Sequence, residues 1–61
     1  MLNYYYRYGY IGVYNGEVRE CTCLTLYECY KDACDAQAER IERLKHRGWT
    51  IVQTTIEMVA R

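Results

Sequence analysis

The sequence predicts an α+β fold of order ββαβ, in which a mostly antiparallel three-stranded sheet packs against one helix. Three observations lead to this prediction: an Asn-Gly pair between two strand-like runs, one long amphipathic segment, and a closing run rich in Thr, Ile and Val. All 61 residues are assigned to a single domain, 1–61. Since a chain of this length buries only about 60% of its unfolded surface, we expect it to depend on a partner, most simply a second copy.

The first two strands are predicted from Asn15-Gly16, because a two-residue type I′ turn needs positive φ at both central positions. This turn sets a register in which Tyr14 faces Glu17 and Val13 faces Val18. Alternation then separates two faces. One carries Tyr5, Arg7, Gly9, Ile11 and Val13 with Val18, Glu20, Thr22 and Leu24; the other carries Tyr4, Tyr6, Tyr8, Tyr10 and Tyr14 with Glu17, Arg19, Cys21, Cys23 and Thr25. A bulge at Gly9 or Gly12 would exchange part of this assignment.

The amphipathic segment predicts a helix from about Leu26 to Arg47. Thr25 and Glu28 match the capping-box spacing at its start, and Gly48 suits the left-handed residue that ends a helix. Acidic residues gather in its first half and basic residues at its end, which complements the helix dipole. The predicted buried stripe consists of Tyr27, Tyr30, Cys34, Gln37, Ile41 and Leu44, with Ala33 and Ala38 beside it.

A third strand is predicted from Trp49 to Val59. A right-handed crossover would place it beside the first strand and parallel to the second, which gives the strand order 2-1-3. We expect the helix to cover the aliphatic face of the hairpin, because that face is the better match for the apolar residues of the helix and the third strand. The hairpin residues are Ile11, Val13, Val18 and Leu24, and the others are Ile41, Leu44, Val52, Ile56 and Met58. One helix covers only one face of such a sheet, so the tyrosine face is predicted to stay open.

The tyrosines are the most unusual part of the composition. Six of the eight lie between Tyr4 and Tyr14, and the chain has no Phe, although Phe would fill a core without a hydroxyl that needs a partner. Tyr is also enriched at binding hot spots. We therefore predict a partner-binding face that consists of Tyr4, Tyr6, Tyr8, Tyr10, Tyr14 and Arg19. The same face serves self-association as a homodimer, capture of a host protein complex, or both.

Charge and hydropathy exclude several classes of protein. Eight basic and eight acidic residues cancel, whereas a protein that binds nucleic acid through phosphates normally has a basic excess. A small nucleic-acid-binding or regulatory module that stacks bases on the tyrosine face remains the alternative. The chain has neither a signal-peptide pattern nor an apolar run long enough for a membrane span, so we expect a location in the cytoplasm, that of a host cell.

The reactive residues predict neither an enzyme nor a bound cofactor. Serine is absent, and the single histidine, His46, follows Cys29 and Cys34 by several helical turns. Structural zinc sites usually show two Cys-x2–4-Cys knuckles. Here Cys21 and Cys23 are only two positions apart, and Cys29 and Cys34, five apart on a predicted helix, diverge by roughly 140°. We therefore interpret the four cysteines as structural thiols, predict no metal site, and keep a zinc-stabilised domain as the lesser alternative.

The whole architecture resembles that of small phage-encoded counter-defence proteins, anti-CRISPR proteins among them. The similar features are the brevity of the chain, the Asn15-Gly16 hairpin, the single capped helix and the Arg47-Gly48-Trp49 junction. The resemblance involves no shared motif and assigns no role to any residue. It implies a non-enzymatic inhibitor that binds a host protein complex, often as a dimer. Because many such proteins are acidic mimics of nucleic acid and this chain is neutral, it implies occlusion of a protein surface.

Overall fold

The computed structural model describes residues 3–60 and has the predicted ββαβ order. The elements are β1 (Tyr4–Tyr14), β2 (Glu17–Thr22), α1 (Tyr30–His46) and β3 (Thr50–Ala60). The strand order is β2-β1-β3, and β1 is antiparallel to both of its neighbours. The predicted α+β class, the strand order and the single helix packed on one face are therefore confirmed.

The hairpin turn forms at Asn15-Gly16, where φ is 52° and 78°, and both values lie in the left-handed region that a type I′ turn requires. The predicted register is also confirmed: Tyr14 pairs with Glu17 and Val13 with Val18. No register shift interrupts the pairing of β1 with β2, so the paired residues up to Thr22 lie on the faces that alternation predicts. Leu24, predicted on the aliphatic face, follows the end of β2 and lines a cleft with Tyr8 and Tyr10 instead.

The irregularity in the sheet lies between β1 and β3. Ile11 pairs with Gln53 but Gly12 pairs with Ile51, so Val52 is an extra residue on β3 and the bulge does not lie on a glycine of β1. This extra residue brings Ile51 to the helix side, where it packs against the core. Gly12 is needed for another reason, because a Cβ there would lie 2.9 Å from Cε3 of Trp49.

The helix begins at Tyr30, later than predicted, and the capping box does not form. Cys29 is the N-cap and makes no side-chain capping hydrogen bond. The residues before it continue the sheet instead: the Tyr6 N–H donates to the Tyr27 carbonyl at 2.7 Å, and the Tyr27 N–H donates to the Tyr6 carbonyl at 2.8 Å. The predicted end is confirmed, since Gly48 has a φ of 95° directly after the last turn.

The face that α1 turns to the sheet differs slightly from the predicted stripe. Ala33 and Leu44 are buried, and Nε2 of Gln37 donates to the carbonyls of Gly9 and Thr55, each at 3.0 Å. Tyr30, predicted to be buried, is 57% exposed. Small residues and one amide therefore bring the helix close to the central strands.

The prediction of which face the helix covers is wrong. The core consists of Tyr8, Tyr10 and Leu44, with Cys21, Cys23, Tyr27, Ala36, Trp49, Ile51 and Ile56 packed around it. Thus α1 covers the tyrosine face, and the aliphatic face remains open. The reason is area: a tyrosine ring buries more surface than a Val or Ile side chain, and small Ala residues on α1 leave room for rings. The opposite face has Gly9 at its centre and offers less apolar area.

Candidate protein-binding surface

The two central tyrosines are the most enclosed rings of the chain. Tyr8 is 9% exposed and Tyr10 is 7% exposed, and their rings lie 6.5 Å apart. Their hydroxyls have polar neighbours at the edge of the core: the Tyr8 hydroxyl interacts with the Cys23 thiol, and the Tyr10 hydroxyl interacts with the Arg40 guanidinium and the Cys21 thiol. Because these hydroxyls are satisfied, the chain tolerates tyrosine where a core would ordinarily use Phe.

Burial changes the acid–base behaviour of both rings. Loss of solvation, followed by the interaction with Cys23, raises the pKa of Tyr8 from 10.0 to about 12. Burial also raises the pKa of Tyr10, although the hydrogen bond from Arg40 opposes this effect. Both hydroxyls thus remain protonated at neutral pH and act as polar ends of core residues.

A cleft of about 360 Å³ opens where α1 leaves β2 uncovered, and it is lined by Tyr8, Tyr10, Cys21, Thr22, Cys23, Leu24 and Arg40. Its only permanent charge is that of Arg40, whose pKa is raised further by the hydrogen bond to Tyr10. At this cleft the hydroxyl ends of the buried tyrosines reach water. The rings can therefore be buried in the core while their hydroxyls stay in a polar environment.

The structure does not bring the other predicted binding residues together as one patch. Tyr6 makes an edge contact with Tyr30 at 5.6 Å, and Tyr14 stacks on Trp49 at 5.4 Å at the other end of β1. Tyr4 is 44% exposed, and Arg19 forms an exposed ion pair with Glu17 at 2.9 Å. A base-stacking platform needs accessible rings, and the central rings Tyr8 and Tyr10 are covered by the helix.

The face without a helix carries the other side chains of the hairpin. Ile11 and Val13 project from β1 between neighbours on both sides and are half-buried, while Val18 on β2 is 73% exposed. Nearer the other end of β1, Tyr5 pairs with Val59. We call this surface the open face and define it by Tyr5, Arg7, Ile11, Val13, Val18, Glu20, Thr22, Gln53, Thr55, Glu57 and Val59.

Polar groups surround and divide the apolar part of the open face. Arg7 and Glu57 form a cross-strand ion pair at 2.8 Å, and the hydroxyls of Thr22 and Thr55 flank Gly9. The sequence placed the hairpin members of this face together but assigned them to the core. A signal for the correct choice was present, because Arg7, Gly9, Glu20 and Thr22 share that face and reduce its apolar area.

The remaining reactive residues do not converge. The four cysteines are free thiols, and His46 is an exposed residue near Glu42, with 3.6 Å between Nε2 and Oε1. Among residues 3–60, no group of three or more His, Cys, Asp or Glu side chains is placed to hold a metal ion. Within the same range, no helix has the length and apolar character to span a membrane.

Comparison with protein-family models, with curated proteins and with solved structures gives no match for this chain. The functional interpretation therefore depends on the surfaces described above, above all on the open face.

Proposed function

We propose that this protein is a non-enzymatic protein-binding module that acts as a homodimer and occludes a surface of a host protein complex. The observation that supports the proposal is the open face, which carries Ile11, Val13 and Val18 at its hairpin end and has polar residues around them. An exposed apolar patch with a polar rim is typical of protein–protein contact sites.

Charge indicates what kind of partner fits this face. Arg7 is already paired with Glu57, and the nearby Glu20 is acidic, so the face presents little free positive charge to phosphates. The chain as a whole has a net charge of zero. The open face therefore suits a protein surface with an apolar centre better than it suits nucleic acid.

The small core supports the homodimer. Only Tyr8, Tyr10, Ala33 and Leu44 are buried hydrophobic residues among those described. A second copy would remove further apolar surface from water and stabilise the fold by mass action. The counter-defence role is proposed from the architecture alone, since the chain has the size and the single-helix ββαβ order of such inhibitors.

A pull-down from bacterial lysate with three forms of the tagged chain tests the binding surface. Val18→Asp places a charge on the open face, and Leu24→Asp places the same charge at a position that is 95% exposed and lies beside the cleft. We expect a host protein that is retained by the wild type and by Leu24→Asp but lost with Val18→Asp. Equal retention by all three forms would move the binding site away from the open face.

Phage plating tests the counter-defence role. In a bacterium with an active CRISPR system that targets the infecting phage, expression of the wild type should restore plaque formation. The Leu24→Asp chain should restore it equally, and the Val18→Asp chain should not. If the wild type binds a host protein but leaves plating unchanged in every defence background tried, binding stands and the counter-defence role is refuted.

A further inference from the structure

The two edges of the sheet differ in length and in charge, two of the properties that govern strand addition. The β2 edge is six residues long, contains Glu17, Arg19 and Glu20, and is extended by the bridge between Tyr6 and Tyr27. The β3 edge is 11 residues long and has a single charged residue, Glu57. Soluble proteins ordinarily protect a free edge with charges, proline or a short strand. The β2 edge has two of these protections, whereas β3 has almost none.

The direction of the backbone groups on β3 follows from the hydrogen bonds of β1. The Tyr8 carbonyl accepts from the Cys23 N–H at 2.9 Å, so Tyr8 points its backbone groups toward the β2 side. Successive residues alternate, so the backbone groups of Gly9 point to Thr55, its partner on β3. The same alternation along β3 turns the N–H and C=O groups of Thr54, Ile56 and Met58 outward. Within residues 3–60 these groups have no backbone partner.

The side chains beside this edge are suited to burial. Val52 is 65% exposed and Met58 is 59% exposed. The only charge of the strand, on Glu57, is held toward β1 by Arg7 at 2.8 Å. The bulge at Val52 lies toward one end of β3, which leaves Gln53–Ala60 in regular pairing and available as a template.

We propose that two copies of this chain join through their β3 edges, as antiparallel strands related by a two-fold axis, and form a continuous six-stranded sheet. Antiparallel self-pairing is isologous, so each outward N–H meets an outward C=O of the partner. A two-fold axis near Ile56 pairs Thr54 with the partner's Met58 and sets Glu57 opposite the partner's Thr55, so the two Glu57 side chains are not directly opposite each other. A second copy is the occupant that fits because the strand is nearly uncharged and complementary to itself.

This inference rests on the homodimer of the proposed function and adds a consequence to it. An axis perpendicular to the sheet places both α1 helices on one side and both open faces on the other. The pairing therefore joins two open faces into one wider surface for a host protein and leaves the apolar side chains of Ile11, Val13 and Val18 exposed.

Sedimentation equilibrium over a concentration series tests the inference with matched variants. Thr54→Pro removes an outward N–H and leaves the pairing with β1 untouched, and Met58→Lys adds a charge beside the edge without changing the backbone. Val18→Lys adds the same charge at the opposite edge as a control. We expect a wild-type dimer of the 7.3 kDa chain. We also expect the dissociation constant to rise at least about tenfold, or 1.4 kcal/mol, in both β3 variants and to stay unchanged in the control.

Hydrogen exchange supplies a second measurement that does not depend on variants. The amides of Thr54, Ile56 and Met58 should be protected at concentrations where the dimer forms and should exchange rapidly on dilution. A dimer that persists in both β3 variants, with these amides unprotected, overturns the edge pairing and leaves the homodimer of the proposed function standing. A wild type that remains a monomer at every concentration overturns both, and a protein partner can still be tested by the pull-down.

Discussion

The two faces of the sheet differ in apolar content and have opposite roles. The covered face contains large rings whose hydroxyls reach partners at its rim, namely Cys23 for Tyr8 and Arg40 for Tyr10. The open face contains smaller side chains that are interrupted by Gly9 and by the Arg7–Glu57 pair. This difference indicates why the helix covers the tyrosine face. The rings on that face bury more apolar area, and their hydroxyls still reach polar partners.

Shortening the buried Leu44 side chain should lower the free energy of unfolding far more than shortening a side chain on the open face. Leu44 is 4% exposed and packs on the two buried tyrosines. Leu44→Ala should lower the free energy of unfolding by about 2–5 kcal/mol, because it leaves a cavity in a core that has little else. The matched change Val18→Ala, on the open face, should cost less than about 0.5 kcal/mol, as surface substitutions usually do. Urea unfolding followed by circular dichroism measures both.

Equal losses of unfolding free energy in Leu44→Ala and Val18→Ala would contradict the assignment of one face as covered and the other as open. Equal cost would mean that the open face is buried in solution, for example by face-to-face association of two copies. Measurement at concentrations above and below the dissociation constant of the dimer separates this outcome from a weak core, because only association depends on concentration.

The local signals in the sequence predicted the fold well. Asn15-Gly16 gave the hairpin and its register because positive φ at two successive residues is a strict local requirement. The order 2-1-3 followed from the handedness of the crossover, and Gly48 marked the end of the helix. Each of these features depends on a few neighbouring residues, which a sequence shows directly.

The features that the sequence did not predict depend on competition between distant groups. Thr25 and Glu28 have capping-box spacing, but hydrogen bonds between Tyr27 and Tyr6 keep that segment in the sheet and delay the helix to Tyr30. The choice of face depends in the same way on Arg40, Cys21 and Cys23, which lie far from Tyr8 and Tyr10 in the chain and satisfy their hydroxyls. The partner-binding role of the tyrosine stripe stays a prediction, and Tyr4 is its most exposed described ring.

Alanine substitutions at Gly9 and Gly12 of β1 compare the two faces at single sites. The added Cβ would lie on the open face at residue 9 and on the covered face at residue 12. At Gly12 a Cβ would lie 2.9 Å from the Trp49 ring and 3.1 Å from the Thr50 carbonyl, and that ring is held by stacking on Tyr14. At Gly9 the nearest atom, at 2.9 Å, is the hydroxyl oxygen of Thr55 on the open face, and the Cys21 carbonyl lies at 3.2 Å, so the two sites differ mainly in the nearest group. Gly12→Ala should therefore cost about 1–3 kcal/mol through overpacking.

Gly9→Ala should cost less than Gly12→Ala, because a threonine side chain can rotate away whereas a stacked indole cannot. The double variant Gly9→Ala with Thr55→Ala should recover part of that smaller cost, and Thr55→Ala should not relieve Gly12→Ala. Thermal unfolding of the five forms, wild type included, provides the measurement. A Gly9→Ala cost equal to or above that of Gly12→Ala would show that the open face is packed as tightly as the covered one.

The pH dependence of stability tests the covered face at a single hydroxyl, and its effect is confined to strongly alkaline pH. Folding raises the pKa of Tyr8 from 10.0 to about 12, so the folded state holds the phenolic proton more tightly. Between these two values the unfolded state binds fewer protons, and the free energy of unfolding must fall as pH rises. Spectrophotometric titration should show an ionisation near pH 12 that disappears in Tyr8→Phe and persists in Tyr5→Phe, which changes the open face. If the two variants lost the same part of the titration curve, the burial of Tyr8 would not distinguish the two faces in solution.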